Sequence, residues 1–161
     1  MWLSSTAQQA LQAVLCIAGS EDDGPVRVDE IVAVLDCPRN YLSKSLHVLV
    51  KAGVLRSLRG PLGGFQLAVD AKCLVLAQVI APFEAVGERQ CLVGRPRCRD
   101  DNPCAAHHRW AKAAAGVTEF FRTTTIATLL SDSAEATEAT REVIRSARLS
   151  NRRMSHGSVP K

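Results

Sequence analysis

The sequence lacks the features that mark several common functional classes. No apolar run reaches the length of a membrane span, and the N-terminus has neither the basic start nor the small-residue cleavage site of a signal peptide. It also contains no Cys-x-x-Cys pair, no glycine-rich cofactor loop and no paired acid and base. We therefore expect a cytoplasmic protein that has no membrane association and is not an enzyme.

Positive charge is concentrated at the C-terminal end of the 161-residue chain. Residues 141–161 carry six Lys or Arg and one Asp or Glu, whereas the other 140 residues carry 14 basic and 15 acidic groups. A smaller excess, six basic against three acidic groups, lies within residues 25–69. With this distribution, binding to nucleic acid would depend on a local basic patch and on dimerisation rather than on the electrostatic field of the whole protein.

The first 70 residues predict three helices followed by a hairpin. Apolar spacing favours helices over 4–19, 28–35 and 38–52, where Pro38 suits a helix start and Gly53 a left-handed end. Two short strands, 54–58 and 65–69, flank a glycine-rich connection. This order predicts a mainly α fold with a small β wing, namely a winged helix-turn-helix.

The polar face of the third predicted helix and the wing are candidate DNA contacts. Short polar and basic side chains at the start of a recognition helix can reach base edges and phosphates, and arginine at a hairpin tip suits the minor groove or a phosphate. A solvated helix face is the simpler alternative. The candidates are Arg39, Asn40, Tyr41, Ser43, Lys44, His47, Arg56, Arg59, Gly63 and Gly64.

The chain beyond residue 70 predicts a second region and a tail. We expect a short buried helix within 74–83 and a long helix over 105–122 whose aromatic stripe is buried either within the chain or in a homodimer. A weak helix over 135–149 should be followed by disorder. These elements divide the chain into a DNA-binding domain (1–70), a cysteine loop with a dimerisation helix (71–130) and a basic, flexible tail (131–161).

Three of the six cysteines cluster in the stretch "CLVGRPRCRDDNPCAAHH", residues 91–108. Cys16, Cys37 and Cys73 stand singly, where a reduced thiol behaves as a small hydrophobe. In an intracellular protein a cluster of cysteines points to metal or redox chemistry. A metal clamp, a redox switch and a plain loop all stay open on the residues alone.

The stretch "NYLSKSLHVLVKAGVLRSLRGPLGGFQLA", residues 40–68, resembles the IscR, NsrR and CymR family of bacterial winged-helix regulators. The resemblance rests on Tyr41-Leu42, on the helix exit from Leu49 to Val54 and above all on the wing motif from Ser57 to Ala68. It extends over roughly residues 1–130. It implies a homodimeric transcription regulator, expected to be a repressor, that binds a near-palindromic operator in double-stranded DNA.

The resemblance also implies an iron–sulfur cluster, 2Fe–2S or 4Fe–4S, in the cysteine loop. Its ligands would be Cys91, Cys98 and Cys104, with His107 in fourth place as in IscR-like members. The first cysteine spacing is one residue longer than is commonest in the family. Structural zinc is the main rival, although the close Cys-x2–4-Cys knuckles of zinc sites are missing here, and a metal-free thiol switch is the next.

Overall fold

The computed structural model describes residues 3–20, 24–60, 63–86, 90–96 and 98–155. Within these residues the only two strands form one antiparallel sheet, and helices make up most of the rest. In chain order the elements are α1 (Ser5–Gly19), α2 (Val28–Leu35), α3 (Arg39–Lys51), β1 (Leu55–Leu58), β2 (Gly64–Leu67), α4 (Leu76–Ile80), α5 (His107–Thr123), α6 (Ile126–Asp132) and α7 (Ala134–Ser155). The predicted fold class, mainly α with a small β wing, is confirmed.

Helix α1 lies at the centre of the fold. It begins where Ser4 accepts a hydrogen bond from the Ala7 amide at 3.2 Å, which is the N-cap expected from the sequence. Its buried face contains Ala7, Ala10 and Ala13, all fully buried. Because alanine side chains are small, neighbouring elements can approach this helix closely. It packs against α2, α3, α4, α6, α7 and β2.

Helices α2 and α3 are joined by the tight turn of a helix-turn-helix. Asp36 closes α2 in the left-handed region with φ 45°, and Pro38 then sits at the N-cap of α3. The far end of α3 forms a Schellman cap, in which Gly53 has φ 74° and the Val54 amide donates to the Leu49 carbonyl at 3.0 Å. The prediction of a left-handed glycine end is thus confirmed.

The wing is a short hairpin anchored to the segment before α2. Leu55 pairs with Leu67 and Leu58 with Gly64, and an isolated bridge joins Val26 to Phe65. Each strand is one residue shorter than its predicted range, 54–58 or 65–69, and β2 begins one residue earlier and ends two residues earlier than expected. The predicted hairpin tip includes residues 61–62, which lie outside the described residues.

Helix α4 leads through the cysteine loop into α5, and the end of α5 returns to the start of α4. The Leu76 amide donates to the Thr124 carbonyl at 3.0 Å, and the Ile126 amide donates to the Leu74 carbonyl at 2.9 Å. Helix α6 was not predicted from the sequence; Thr125 caps it by accepting from the Thr128 amide. These bonds attach the start of α6 to the body of the molecule.

The C-terminal segment differs most from expectation. We expected a weak helix over 135–149 within a flexible tail, but α7 runs from Ala134 to Ser155 and packs against α1 and α2. Thr137, Arg141, Ile144 and Arg148 are spaced by four, three and four residues, so they share one helical face. Ile144 on this face is fully buried. The segment contributes to the core, and the residues after 155 lie outside the described part.

Candidate nucleic-acid interface and cysteine loop

The outer face of α3 carries the side chains expected to meet DNA. Asn40, Tyr41, Lys44 and His47 are exposed, while Leu42, Leu46 and Leu49 on the opposite face are fully buried. Ser43 is half-buried and its carbonyl oxygen lies 2.7 Å from Nδ1 of His47. The amphipathic helix therefore seats its apolar side in the core and presents a polar, basic side outward.

Two of these side chains have partners within the chain. Arg39 Nε donates to Asp29 Oδ1 of α2 at 2.5 Å in an exposed ion pair. The Tyr41 hydroxyl hydrogen-bonds to the Thr6 hydroxyl near the start of α1. These contacts fix the start of α3 relative to α1 and α2, so Arg39 and Tyr41 serve the packing of the domain in addition to any contact with DNA.

The wing presents Arg56 and Arg59 outward. Arg56 on β1 donates to Gln66 Oε1 on β2 at 3.2 Å, across the hairpin, and Arg59 is exposed beyond the end of β1. Gly63 and Gly64 have a packing reason of their own. A Cβ on Gly63 would lie 2.3 Å from the Leu58 carbonyl oxygen, and a Cβ on Gly64 would lie 2.6 Å from that of Val26. Their identity as DNA contacts stays a prediction.

The cysteine loop, residues 90–106, folds back on the start of α5. The Trp110 indole Nε1 donates to the Gln90 carbonyl at 2.7 Å, and the His107 amide donates to the Cys104 carbonyl at 2.9 Å. Because both ends of the loop are held by the first turn of α5, its cysteines come close together. Arg97 of this loop lies outside the described residues.

The four predicted ligands lie in two contacting pairs. Cys91 Sγ is 3.9 Å from Cys104 Sγ, and Cys98 Sγ is 3.6 Å from His107 Nδ1. The three cysteines are half-buried, and His107 is only 3% exposed. No group of three or more His, Cys, Asp or Glu side chains in the described part of the chain is gathered closely enough to hold a metal ion. The structure therefore brings the four residues together as two separate pairs rather than as one set of four.

Electrostatics in the loop favour the thiolate of Cys91. Desolvation acts to raise the pKa of this thiol, but hydrogen bonds from the Arg95 and Val93 amides and from Cys104, with the Arg95 charge, lower it below its ordinary value overall. Arg99 is instead ion-paired with Asp101. Thiolates are the form of cysteine that binds iron. Arg95 therefore supports a predicted ligand, whereas Arg99 neutralises the Asp101 carboxylate.

His107 has a second partner that was not predicted from the sequence. Its Nε2 lies 2.8 Å from Oδ1 of Asp100, while its Nδ1 faces Cys98. The only signal in the sequence was the pair of aspartates at 100 and 101 between two predicted ligands, and their spacing does not distinguish them. The donor set of three thiols and one imidazole, with the distal ring nitrogen held by a carboxylate, fits an iron–sulfur cluster or a zinc ion in its chemistry.

The other cysteines are apart from the loop. Cys16 is buried in α1, where desolvation and then the nearby Glu30 charge raise its pKa to about 12. Burial and the adjacent Asp36 raise the pKa of Cys37, although a hydrogen bond with Gln9 opposes them. Cys73 is exposed in the turn before α4. A thiol with a raised pKa is a poor nucleophile and a poor metal ligand, as expected for Cys16 and Cys37.

The aromatic stripe of α5 is left open by the rest of the chain. Trp110, Val117 and Phe121 are half-buried, Phe120 is 49% exposed, and His107 is the one buried residue among the 17 of this helix. Burial within the chain, one of the two alternatives for this stripe, is therefore incomplete. An amphipathic helix with an open apolar face has room for a partner on that face.

Within the described ranges, no helix combines the length and apolar character needed to cross a membrane.

Known proteins with similar sequences are bacterial transcription regulators. Residues 3–132 match the Rrf2 family, described as an iron-dependent transcriptional regulator. A helix-turn-helix-type regulator of Aquifex aeolicus is 37% identical over 133 residues, covering 81% of this chain and 92% of the relative. IscR of Vibrio vulnificus is 32% identical over 133 residues, covering 82% of this chain and 79% of the relative.

Solved structures share the fold. CymR, the global cysteine regulator of B. subtilis, superposes with a TM-score of 0.72 at 22% identity over 83% of this chain and 98% of CymR. IscR of T. potens superposes with a TM-score of 0.68 at 24% identity, over 84% of this chain and 90% of that IscR. Because it has a winged helix-turn-helix and matches the family over residues 3–132, the chain belongs to the Rrf2 family of DNA-binding transcription regulators, which are not enzymes.

Proposed function

We propose that this chain is a cytoplasmic, homodimeric repressor whose affinity for a near-palindromic DNA operator is set by an iron–sulfur cluster. Cys91, Cys98, Cys104 and His107 would hold the cluster. The observation that carries the proposal is the cysteine loop, which folds onto the start of α5 and brings these four side chains into two contacting pairs. When bound, the cluster supplies sensitivity to oxidation, nitric oxide or iron supply.

The pairs have to converge for all four side chains to bind one cluster. Residues 90–96 and 98–106 belong to no helix or strand, so the movement would not break regular structure. Backbone hydrogen bonds and the Arg95 charge lower the pKa of the Cys91 thiol, which favours the thiolate that a cluster needs. A neutral imidazole in the fourth place is an accepted substitute for thiolate and raises the reduction potential.

DNA would meet the exposed face of α3 and the wing. Lys44 and the α3 start would lie in the major groove, and Arg56 and Arg59 would reach the phosphates or the minor groove. The exposure of these side chains, with the opposite face of α3 fully buried, supports this arrangement. Two copies joined along α5 would present two such faces to two half-sites.

Coupling between cluster and operator would follow a chain of bonded and packed elements. The loop runs directly into His107, the first residue of α5, and the end of α5 is hydrogen-bonded to the start of α4 through Thr124 and Leu76. Helix α4 packs on α1, and α1 packs on α3. A change in the loop would therefore shift α5 and, through the dimer, the separation of the two recognition helices.

The decisive experiment is the anaerobic purification of the full chain, followed by absorption spectroscopy and iron and sulfide analysis. We expect a brown protein with visible charge-transfer bands, loss of iron in Cys91→Ser, Cys98→Ser and Cys104→Ser, and a less stable cluster in His107→Ala. Cys73→Ser, which changes an exposed cysteine outside the loop, is the matched control and should retain full iron. Stoichiometric zinc without iron in the wild type would contradict the proposal.

Operator binding is tested separately by Arg59→Ala. This change should weaken binding to a selected operator by about 1–3 kcal/mol at fixed salt, because a specific groove contact is lost, without altering the free energy of unfolding. Lys72→Ala, at an exposed position outside the predicted interface, is the control. Unchanged affinity in Arg59→Ala would argue against the wing as a DNA contact.

A metal-free thiol switch is the second candidate, and the 3.9 Å separation of Cys91 Sγ and Cys104 Sγ favours it. In that case the two thiols would form a disulfide and release two protons and two electrons, which a peroxide would take up on reduction to water. The CymR of B. subtilis is named a cysteine regulator, and a CymR of Staphylococcus aureus has been solved in an oxidised form. A 91–104 disulfide peptide after peroxide treatment, in protein that never binds iron, would support this candidate instead.

A further inference from the structure

His107 is held from both sides of its ring in the cysteine loop. Nε2 lies 2.8 Å from the Asp100 carboxylate oxygen, and Nδ1 lies 3.6 Å from the Cys98 sulfur. The His107 residue is only 3% exposed, and the His108 ring packs edge-on against its ring at 5.4 Å between centroids. A buried ring in these surroundings has little freedom to rotate, so its two nitrogens keep different neighbours.

The chemistry of Asp100 determines which nitrogen carries the proton. An ionised carboxylate has no hydrogen to give and can only accept, so the hydrogen between Asp100 and the ring belongs to Nε2. A neutral imidazole has one N–H and one lone pair, and the lone pair is then on Nδ1. That lone pair points toward Cys98, on the side of the loop where the sulfur ligands lie.

We propose that Asp100 is a positioning residue, which holds the His107 ring by accepting from Nε2–H and leaves Nδ1 as the atom that ligates the metal. The inference rests on the proposed function for the identity of the metal group. Carboxylates that bind the distal nitrogen of a ligating histidine fix its tautomer and increase its basicity. Asp100 would therefore bias both the orientation of the fourth ligand and the electron density it donates.

The neighbouring carboxylate does not share this role. Asp101 is ion-paired with Arg99, and this pair lowers the Asp101 pKa. Both aspartates are exposed, both carry one negative charge and they are adjacent in the loop. Asp101→Ala is therefore a matched control that removes the same charge from nearly the same place but leaves the His107 ring contact intact.

The first test uses metal-free, reduced full-length protein labelled with ¹⁵N-histidine. At mildly alkaline pH, NMR should show a His107 Nε2–H proton that is shielded from exchange with water. The signal should persist in Asp101→Ala, broaden or vanish in Asp100→Ala, and return at least in part in Asp100→Asn, whose side-chain carbonyl can accept the same hydrogen. A protected Nδ1–H in the wild type, or an unchanged Nε2–H signal in Asp100→Ala, would overturn the assignment.

The second test measures the reduction potential of the reconstituted cluster. Loss of the hydrogen bond makes the imidazole a poorer donor, so Asp100→Ala should raise the potential more than Asp101→Ala does, and Asp100→Asn should fall between Asp100→Ala and the wild type. Equal shifts in the two alanine variants would show that only charge matters and would refute a positioning role. If the wild type binds no cluster, the proposed function fails, whereas the NMR result still decides the contact between Asp100 and His107.

Discussion

Two acidic or basic side chains, Glu30 and His107, are buried almost completely among the described residues, and both are held by groups from other segments. Glu30 accepts from the Arg27 amide at 2.9 Å and from Arg148 Nε at 3.2 Å. Arg148 also donates to the Pro25 carbonyl at 2.9 Å. A buried carboxylate is tolerated only when its oxygens are satisfied, so α7 completes the environment of a residue 118 positions earlier in the chain.

We predict that Arg148→Ala lowers the free energy of unfolding by about 3 kcal/mol, because it leaves Glu30 buried without its charged partner. Chemical denaturation at neutral pH measures the change. Arg145→Ala is the control, since its pair with Glu138 is largely exposed and should contribute at most about 1 kcal/mol. Similar losses in both variants would contradict the special importance of the Glu30 pair.

Cys16 gives the fold a dependence on alkaline pH. Its pKa is raised from 9.0 to about 12 by burial and by the Glu30 charge, so above pH 9 the unfolded chain releases this proton while the folded chain keeps it. Stability from this thiol is thus full below pH 9 and falls progressively up to about pH 12. Denaturation curves across that range should show a smaller decline in Cys16→Ala than in the wild type, and Cys73→Ala should behave as the wild type does.

At the scale of elements, close approach of backbones decides the shape of the wing. The Val26 segment pairs with Phe65, and it passes so near Gly64 that no side chain fits between them. The wing strands themselves are only four residues long, so their stability depends on this third segment and on the packing of Phe65 and Leu67 in the core.

Gly64→Ala should therefore destabilise the protein by about 1–3 kcal/mol and weaken operator binding, because the new methyl group would force the wing away from Val26. Thermal unfolding and a DNA-binding titration report the two effects.

Gly116→Ala is the contrasting change, since a Cβ at Gly116 in α5 meets nothing within 4 Å. It should be neutral or stabilising by up to about 1 kcal/mol, because alanine favours a helix. Destabilisation by Gly116→Ala equal to that by Gly64→Ala would show that the space around Gly64 is not the cause.

At the scale of the whole molecule, the open apolar stripe of α5 indicates how two copies would assemble. Its half-buried residues are continuous with exposed Phe120, and the cysteine loop begins at the same end of the helix as Trp110. A dimer joined here would place the cysteine loops of both copies next to the shared helices. This arrangement would let one change in a loop affect both halves of an operator complex.

Phe121→Asp should convert the dimer to a monomer at micromolar concentration, since a charge buried in an apolar interface is strongly unfavourable. Sedimentation velocity measures the change in mass. Val143→Asp, which alters a 41% exposed apolar side chain on α7, should leave the dimer intact. A monomeric wild type would disprove the role of α5 at once.

Local patterns in the sequence were sufficient to predict the helices and strands of the winged domain. Helical spacing of apolar residues, the boundaries at Pro38 and Gly53 and the glycine-rich hairpin are all set by the conformational preferences of a few adjacent residues. They therefore predicted the ends of α1, α2, α3 and the wing strands to within a residue or two. The clustering of three cysteines within residues 91–104 marked the loop as a candidate site, and the resemblance to the family named Cys91, Cys98, Cys104 and His107 as its ligands.

What only the tertiary structure decided involves residues that are far apart in the chain. The sequence of α7 is polar, and its packed face has a single aliphatic residue, Ile144, so no local pattern predicts that this helix packs on the core. It packs because Arg148 reaches the buried Glu30 on α2 and Arg141 reaches the Gly19 backbone. Similarly, Asp100 and Asp101 are the same residue type at adjacent positions, and the fold of the loop directs one to His107 and the other to Arg99. Composition and periodicity determine which elements form, whereas partners for buried polar groups depend on the path of the backbone between those elements.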